Sequence, residues 1–473
     1  MSASVAAVDL GATSGRVMVG VVGPNTLQIQ QIARFPNSPV RTPAGLQWNT
    51  MELYSRVLDG LRQAAQHGTQ VSSVGVDSWG VDYGLLSGDR VLESPFHYRD
   101  ERTARGVAAV HARVPHEALY RLNGLQYLPF NTLYQLAADD PAVLAIVDTA
   151  LLIPDLMNFY LTGHRFAERT NASTTGLLNI ATHEWDTELI DLLGLRRTMF
   201  PPLVGAGDEL GELLPHVLDF TGLASDTKVL AVGSHDTASA VVATPMHEPD
   251  GAYISCGTWG LVGVETEKPI LSDAARAANF TNEGGVDGRT RFLHNVMGLW
   301  LLSECVREWE RDGKPVTMEH LIAEAASLQT EVPLVDANDP TFLARGDMPT
   351  RIAAWCTEHN LPAPQSRAEF VRCVIESLAA AFAEAVRSAS TLSGQTVTRI
   401  HIVGGGALNT LLCQRIADRA RLRVVAGPVE ATAIGNVLIQ GRALGAVSGT
   451  LESLRALVDA SFSPTVYMPE GSA

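Results

Sequence analysis

The fold is decided by the run Val5-Ala6-Ala7-Val8-Asp9-Leu10-Gly11-Ala12-Thr13-Ser14-Gly15-Arg16-Val17-Met18-Val19-Gly20-Val21-Val22. Val5 to Val8 and Arg16 to Val22 are rich in β-branched residues, and the small residues Gly11 to Gly15 between them predict a hairpin. Asp9 falls on an otherwise apolar strand, and a carboxylate buried there needs a partner. Two readings follow. Either the turn is an ordinary hairpin with Asp9 as a turn residue, or its backbone N–H groups and hydroxyls cradle a phosphate chain while Asp9 holds a hydrated Mg²⁺.

Working outward, Asn49 followed three residues later by Glu52 predicts a helix start, with Gly68 to close the helix. Val74 to Asp77 reads as a further buried strand. Strands alternating with helical stretches define an α/β class. A second opening occurs at Ala252 to Gly263, where Gly257-Thr258 separates two apolar β runs. Ser366 with Glu369 then starts a long helix ending near Gly394, and the strand Arg399 to Val403 runs into Gly404-Gly405-Gly406. Two α/β lobes are expected, each begun by a hairpin, with the boundary near residues 244–251, where Pro245, Pro249 and Gly251 punctuate the chain. A chain of 473 residues exceeds the size at which a single core stops growing.

Composition narrows the function. With 35 Lys and Arg against 51 Asp and Glu, the formal charge is −16. Such a chain suits neither nucleic acid nor an anionic membrane, which must be met by clustered basic residues. Five scattered cysteines with no C-x-x-C pair suit a reducing cytoplasm and argue against a disulfide framework or a zinc site. The short apolar run at the N-terminus meets Asp9 almost at once and reads as a strand, not a signal peptide. No apolar run is long enough to span a bilayer.

The signatures of P-loop enzymes, protein kinases and Rossmann folds are missing. Ser234-His235-Asp236 has the residue types of a hydrolase triad, but three adjacent residues on one turn do not align as nucleophile, base and orienter. Asp236, delivered by the apolar strand from Val229 to the head of a helix, is either an N-cap or a general base for a hydroxyl nucleophile. In the second case the helix start favours the ionised carboxylate and suits a transferring phosphoryl group. Gly404 to Gly406 is either a tight strand-to-helix turn or a close approach for a flat or anionic ligand. Polar and aromatic residues at Asp77 to Asp82, His97 to Thr103, Gln126 to Thr132, and Asn295 with Met297-Gly298-Leu299-Trp300 have the composition of a sugar site. Each alone is equally a core or surface segment.

The order of these parts resembles the FGGY carbohydrate kinases, of the actin/hexokinase/Hsp70 ATPase superfamily. The specific stretches are Tyr98-Arg99-Asp100-Glu101-Arg102-Thr103, Leu128-Pro129-Phe130-Asn131-Thr132-Leu133-Tyr134-Gln135-Leu136, Ser234 to Val241, and Asn282-Glu283-Gly284-Gly285. The likeness runs over residues 5–440 and is strongest to the branch acting on L-rhamnulose. It implies two RNase H-like, actin-like ATPase lobes around an interlobe cleft: residues 1–245 on the sugar and phosphate side, 246–473 on the nucleotide side. It implies transfer of phosphate from ATP to L-rhamnulose, with Asp236 as catalytic base and Mg²⁺ near Asp9. Ala12, Thr13, Ser14, Gly15, Arg16, Thr258, Ser303 and Gly405 are the implied ATP contacts, Ser303 standing where relatives carry a Gln. Gly80, His235, Asp236, Thr237 and Asn295 are the implied sugar contacts. Small-molecule sugar and ATP are the implied partners. The Arg99 to Arg102 segment receives no role.

Overall fold

The computed structural model describes residues 2–470 except 314 and 316. Its contacts divide the chain into two compact units that are not contiguous in sequence. The first holds residues through His247 together with Glu265–Phe292 and Ala431–Phe462; the second holds Glu248–Val264, Leu293–Glu430 and the segment from Ser463. The chain therefore first leaves its opening unit close to the boundary read from Pro245 and Pro249, and two later segments return to it.

The first unit is built on a six-stranded sheet in the order Glu209–Glu212, Lys228–Leu230, Ser73–Ser78, Ala3–Leu10, Ser14–Gly23, Thr26–Pro36. The opening hairpin forms as expected, but its turn is shorter than the small-residue run. The Gly11 N–H donates to the Ser14 carbonyl at 2.9 Å, and Ser14 and Gly15 already belong to the second strand. Gly15 is small for a packing reason, since a Cβ there would lie 2.3 Å from the Phe35 ring. Pairing is antiparallel across the hairpin and parallel to Ser73–Ser78, so Asp9 faces Arg16 on one side and Asp77 on the other. Lys228–Leu230 also runs parallel to Ser73–Ser78, and a single bridge joins Ser78 to His235. Three strands thus end at one edge of the sheet, where parallel sheets place their ligands.

The helix Thr50–Ala65 starts as read, with the Asn49 side chain accepting the Glu52 N–H at 3.3 Å. It stops at Ala65, and Gly68, at φ +100°, lies in the turn beyond. The second unit repeats the plan. Gly251–Cys256 pairs antiparallel with Trp259–Thr266 and parallel with Arg399–Val403, which in turn pairs parallel with Arg423–Ala426. Its long helix, Arg367–Ser393, is capped by Ser366 and closed by Gly394 at φ +71°, as the sequence pattern requires. Among the described residues, no helix is long and apolar enough to cross a membrane, and all five cysteines are free and buried.

The structure gives the Arg99 to Arg102 segment its role. The Asp100 carboxylate accepts the Leu46 N–H at 2.7 Å and the Arg102 N–H at 3.0 Å. The Arg102 guanidinium pairs with Asp139, donates to the Gln135 carbonyl at 3.2 Å and lies 4.0 Å over the Phe96 ring. It is a buried structural tie.

Candidate active site

In the first unit, Asp9, Asp77 and Asp236 gather at the ends of neighbouring strands. Asp236 is the first residue of the helix Asp236–Val242, whose cap position is taken by His235. The capping reading of Asp236 thus falls away. Its carboxylate is 31% exposed, accepts the Thr237 hydroxyl at 3.2 Å and lies 3.5 Å from His235 Nε2. Asp9 is buried and ion-paired with Arg16 Nε at 3.3 Å. Asp77 is fully buried, and burial pushes its carboxyl well above the usual range, with the charges of Asp9 and Asp236 adding to the rise. The Asn436 amide, donating to its Oδ2 at 2.6 Å, and the charge of Arg16 oppose that rise. Asp77 Oδ1 has no hydrogen-bond partner. The sequence grouped Asp77 with the sugar-type residues; its register opposite Asp9 puts it with the acidic strand ends instead. The signal available was a second carboxylate closing an apolar strand.

The junction before Asp236 is held by Glu168, which sequence reasoning missed. Its Oε2 accepts the backbone N–H groups of Thr170 and Ser234, each at 3.0 Å, and the Ser234 hydroxyl at 2.9 Å. Ser234 Oγ is thereby turned to Glu168, which disposes of the hydrolase triad. Burial raises the Glu168 carboxyl, and these donors pull the other way.

Gly80 lies at the end of Ser73–Ser78 in a turn whose next residue, Val81, has φ +69°. A β-branched residue there is strained, and such strain persists only where neighbours over-determine it. The neighbours are Thr174 Oγ1, accepting the Val81 N–H at 3.2 Å, and Thr132 Oγ1, donating to the Val81 carbonyl at 2.7 Å. Gln135 Nε2 adds a bond to the same carbonyl at 3.3 Å. The Pro129 to Leu136 stretch is therefore a brace for the Gly80–Val81 turn. Gly80 itself is closely packed, since a Cβ would lie 3.0 Å from Thr174 Oγ1. Thr132→Val, which leaves the carbonyl short of a donor, should lower unfolding free energy by about 1 kcal/mol in a denaturant titration.

The indoles near this turn are structural. Asp82 Oδ2 accepts Trp48 Nε1 at 2.6 Å and Trp79 Nε1 at 3.0 Å, and the two rings lie 4.3 Å apart. Burial raises the Asp82 carboxyl from 3.8 to about 6, against the pull of these donors. The folded protein thus binds this proton more tightly than the unfolded chain. The associated stability, about 3 kcal/mol at most for a shift of roughly two units, is present below pH 3.8 and lost as pH rises through about 6. Tryptophan emission should titrate with a midpoint near pH 6 and stop doing so in Asp82→Asn. Trp300 is likewise core, buried with Nε1 on the Phe342 carbonyl at 3.0 Å.

In the second unit, Thr258 sits in the turn between the two opening strands. The Gly257 carbonyl accepts the Leu299 N–H at 2.9 Å and the Thr258 carbonyl accepts the Trp300 N–H at 3.2 Å. Gly298 permits this contact, because a Cβ there would lie 2.5 Å from the Trp259 backbone. The helix Trp300–Arg311 that follows carries Ser303, which is exposed. The glycine run divides its labour. Gly404 takes φ +79°, a Cβ on Gly406 would lie 2.4 Å from Cys256 Sγ, and Gly405 has nothing within 4 Å. Gly405 is thus the member of the run with open space over its backbone. Gly406 on Cys256 sets this turn beside that of Thr258. Asn295 is half-buried on the strand Thr290–Met297 of the same unit.

Residues 4–243 match the N-terminal domain, and residues 252–444 the C-terminal domain, of the FGGY family of carbohydrate kinases. The chain is 43% identical to a rhamnulokinase of Pectobacterium atrosepticum, over 99% of this chain and 94% of that one. It is 38% identical to a rhamnulokinase of Bacteroides thetaiotaomicron, over 99% and 96%. Among solved structures, a gluconate kinase from Lactobacillus acidophilus superposes with a TM-score of 0.79 at 17% identity, covering 99% of this chain and 94% of that one. A xylulose kinase from Rhodospirillum rubrum does so with 0.76 at 19% identity, covering 99% and 95%. These likenesses show that the chain shares the α/β fold of these kinases, the two-lobed fold that the family resemblance implies. By sequence over both domains, in a fold that places a partly exposed carboxylate at the start of the helix Asp236–Val242, the chain belongs to the FGGY family of carbohydrate kinases.

Proposed function

We propose that this chain transfers the γ-phosphoryl group of ATP to L-rhamnulose, giving L-rhamnulose 1-phosphate and ADP. The observation that carries the reading is Asp236, a carboxylate that is half-buried, reachable from solvent and not spent on capping its helix. Rhamnulokinases similar over nearly the whole chain support the choice of sugar. Asp236 takes the proton of the attacking hydroxyl as its oxygen bonds to the γ-phosphorus. The bond from that phosphorus to the bridging oxygen breaks, and ADP leaves. Transfer is direct, with no phosphorylated enzyme. His235, Thr237, Gly80 and Asn295 are the proposed sugar contacts.

Ala12, Thr13, Ser14, Gly15 and Arg16 are the proposed phosphate contacts of the first unit. Thr258, Ser303 and Gly405 are proposed as nucleotide contacts of the second on the strength of the resemblance. Asp9 is the proposed Mg²⁺ residue. The local chemistry fits: Asp9 lies beside Asp77, whose buried carboxyl is strained by neighbouring negative charge and has an unbonded oxygen. Among the described residues, no set of three or more His, Cys, Asp or Glu is arranged as a metal cage, which Mg²⁺ does not need, since it keeps several waters and uses one or two carboxylates. When bound, Mg²⁺ supplies positive charge against the phosphate oxygens. A cytoplasmic location suits the five unpaired cysteines.

The test is coupled ADP release with Mg-ATP and a panel of L-rhamnulose, L-fuculose, L-ribulose, D-xylulose, L-xylulose and glycerol. We expect kcat/KM to be highest for L-rhamnulose. Higher turnover of another member would replace the substrate, and silence across the panel would remove the kinase reading.

A further inference from the structure

The motif Asn282-Glu283-Gly284-Gly285 has no role in the chemistry above, and Arg291 is a fully buried charge on the strand Thr290–Met297. The structure brings both to His235. Asn282 is spent on structure, its amide donating to the Gly124 carbonyl at 3.1 Å and the Ile270 carbonyl at 3.0 Å, with the Ile270 N–H on its oxygen at 2.7 Å. Gly284 receives Arg291 Nε on its carbonyl at 2.9 Å and gives its N–H to Ser173 Oγ at 2.7 Å. Arg291 is thereby aimed. Its side chain is 0% exposed, and Nη2 lies 3.2 Å from Glu283 Oε2 and 2.9 Å from His235 Nδ1.

A guanidinium has five N–H donors and no acceptor, and it does not deprotonate in proteins. The nitrogen it meets at 2.9 Å must therefore offer a lone pair. If His235 Nδ1 carried the proton, two hydrogens would face each other in a buried site. Glu283 Oε2, 3.3 Å from the same nitrogen, is the acceptor that would favour that other state. It already faces Arg291, so the pair as a whole presents a donor to Nδ1. The remaining group around the ring is Asp236, whose Oδ1 lies 3.5 Å from Nε2.

We propose that Arg291, held by Glu283, is a positioning residue that keeps His235 in the Nε2–H tautomer, so that the ring offers a fixed donor beside the Asp236 carboxylate. The proposal rests on the reading of Asp236 as the base for a sugar hydroxyl. It deepens that reading by giving the sugar two adjacent and opposite partners. The hydroxyl that loses its proton faces Asp236, an acceptor only, and the oxygen on the neighbouring carbon accepts from His235. Polyols presenting two adjacent oxygens are the class this pair selects. A substrate lacking the second oxygen leaves the imidazole N–H unpaired, which is the costly kind of mismatch.

The test uses the full chain labelled with ¹⁵N in its histidines, of which there are 13. The His235 signals are identified by their loss in His235→Gln. At pH 7.5 we expect a protonated Nε2 and an unprotonated Nδ1. A ring protonated at Nδ1, or at both nitrogens, would overturn the proposal. Removing Arg291 alone strands Glu283 and risks the fold, so the informative variant is Glu283→Met with Arg291→Met. It should show a mixture of tautomers and a loss of about tenfold in kcat/KM for the sugar, the worth of one hydrogen bond. The loss should fall mainly on the sugar KM, with the KM for ATP unchanged. A folded double variant that keeps a pure Nε2–H ring and an unchanged sugar KM would also sink the idea. The tautomer is read without turnover, so an enzyme inactive on every sugar would remove the proposed function and leave the ring measurement standing.

Discussion

Asp236→Asn should lose about 10²- to 10⁴-fold in kcat while keeping its fold and most of its sugar affinity. Asparagine preserves the shape of the side chain and its contact with Thr237, but its amide takes no proton from the attacking hydroxyl. Stability should change little, because His235, not Asp236, occupies the cap position and Asp236 is partly exposed. Relief of the charge on Asp77 should slightly offset any loss, since Asp236 is one of the groups that raises the Asp77 carboxyl. Steady-state kinetics with a thermal melt check both halves. A kcat within a few-fold of the parent would leave Asp236 without its role as base.

Gly435→Ala should be among the most damaging single changes in the first unit. Gly435 lies on the helix Ala431–Ala443, and a Cβ there would sit 1.8 Å from the Ser239 carbonyl oxygen and 2.6 Å from its carbon. Both atoms are backbone, and Ser239 belongs to the helix that begins at Asp236, so the two helices must move apart by more than an ångström. Overpacking of this kind costs about 3 kcal/mol. Because the shift displaces the helix that carries the base, kcat should also fall, by up to about 10² for a misplacement near 1 Å. The contrasting change is Gly405→Ala, where nothing lies within 4 Å, and stability should stay within about 0.5 kcal/mol. Denaturant titrations of the two variants separate a glycine required by packing from one with open space over it. Equal stabilities would refute the helix contact.

The local elements were legible because their causes are local. The opening hairpin follows from two β-rich runs around small residues, and the helix at Arg367–Ser393 from Ser366, Glu369 and Gly394 acting within a few residues of themselves. Asp9 and Asp236 could be singled out for the same reason, as carboxylates ending apolar runs. The small-residue run misled at its end. Gly15 reads as a turn glycine, and only Phe35, twenty residues on and across the neighbouring strand, reveals why it must be small.

What the sequence determined by itself was thus the succession of strands and helices, the paired openings, the acidic, cysteine-poor character of the chain, and the family. What only the tertiary structure decided was which residues keep company. Asp77 has its carboxyl raised by burial and by register with Asp9, against the pull of the Asn436 amide 359 positions away. Gln440 binds the Ala6 carbonyl and Ser73 on the same sheet. Glu168 ties the Ser234 junction, and Glu283 and Arg291 close on His235. Hydrogen bonds and charges act over a few ångströms of space, and no pattern along the chain encodes a neighbour that only folding brings within that reach.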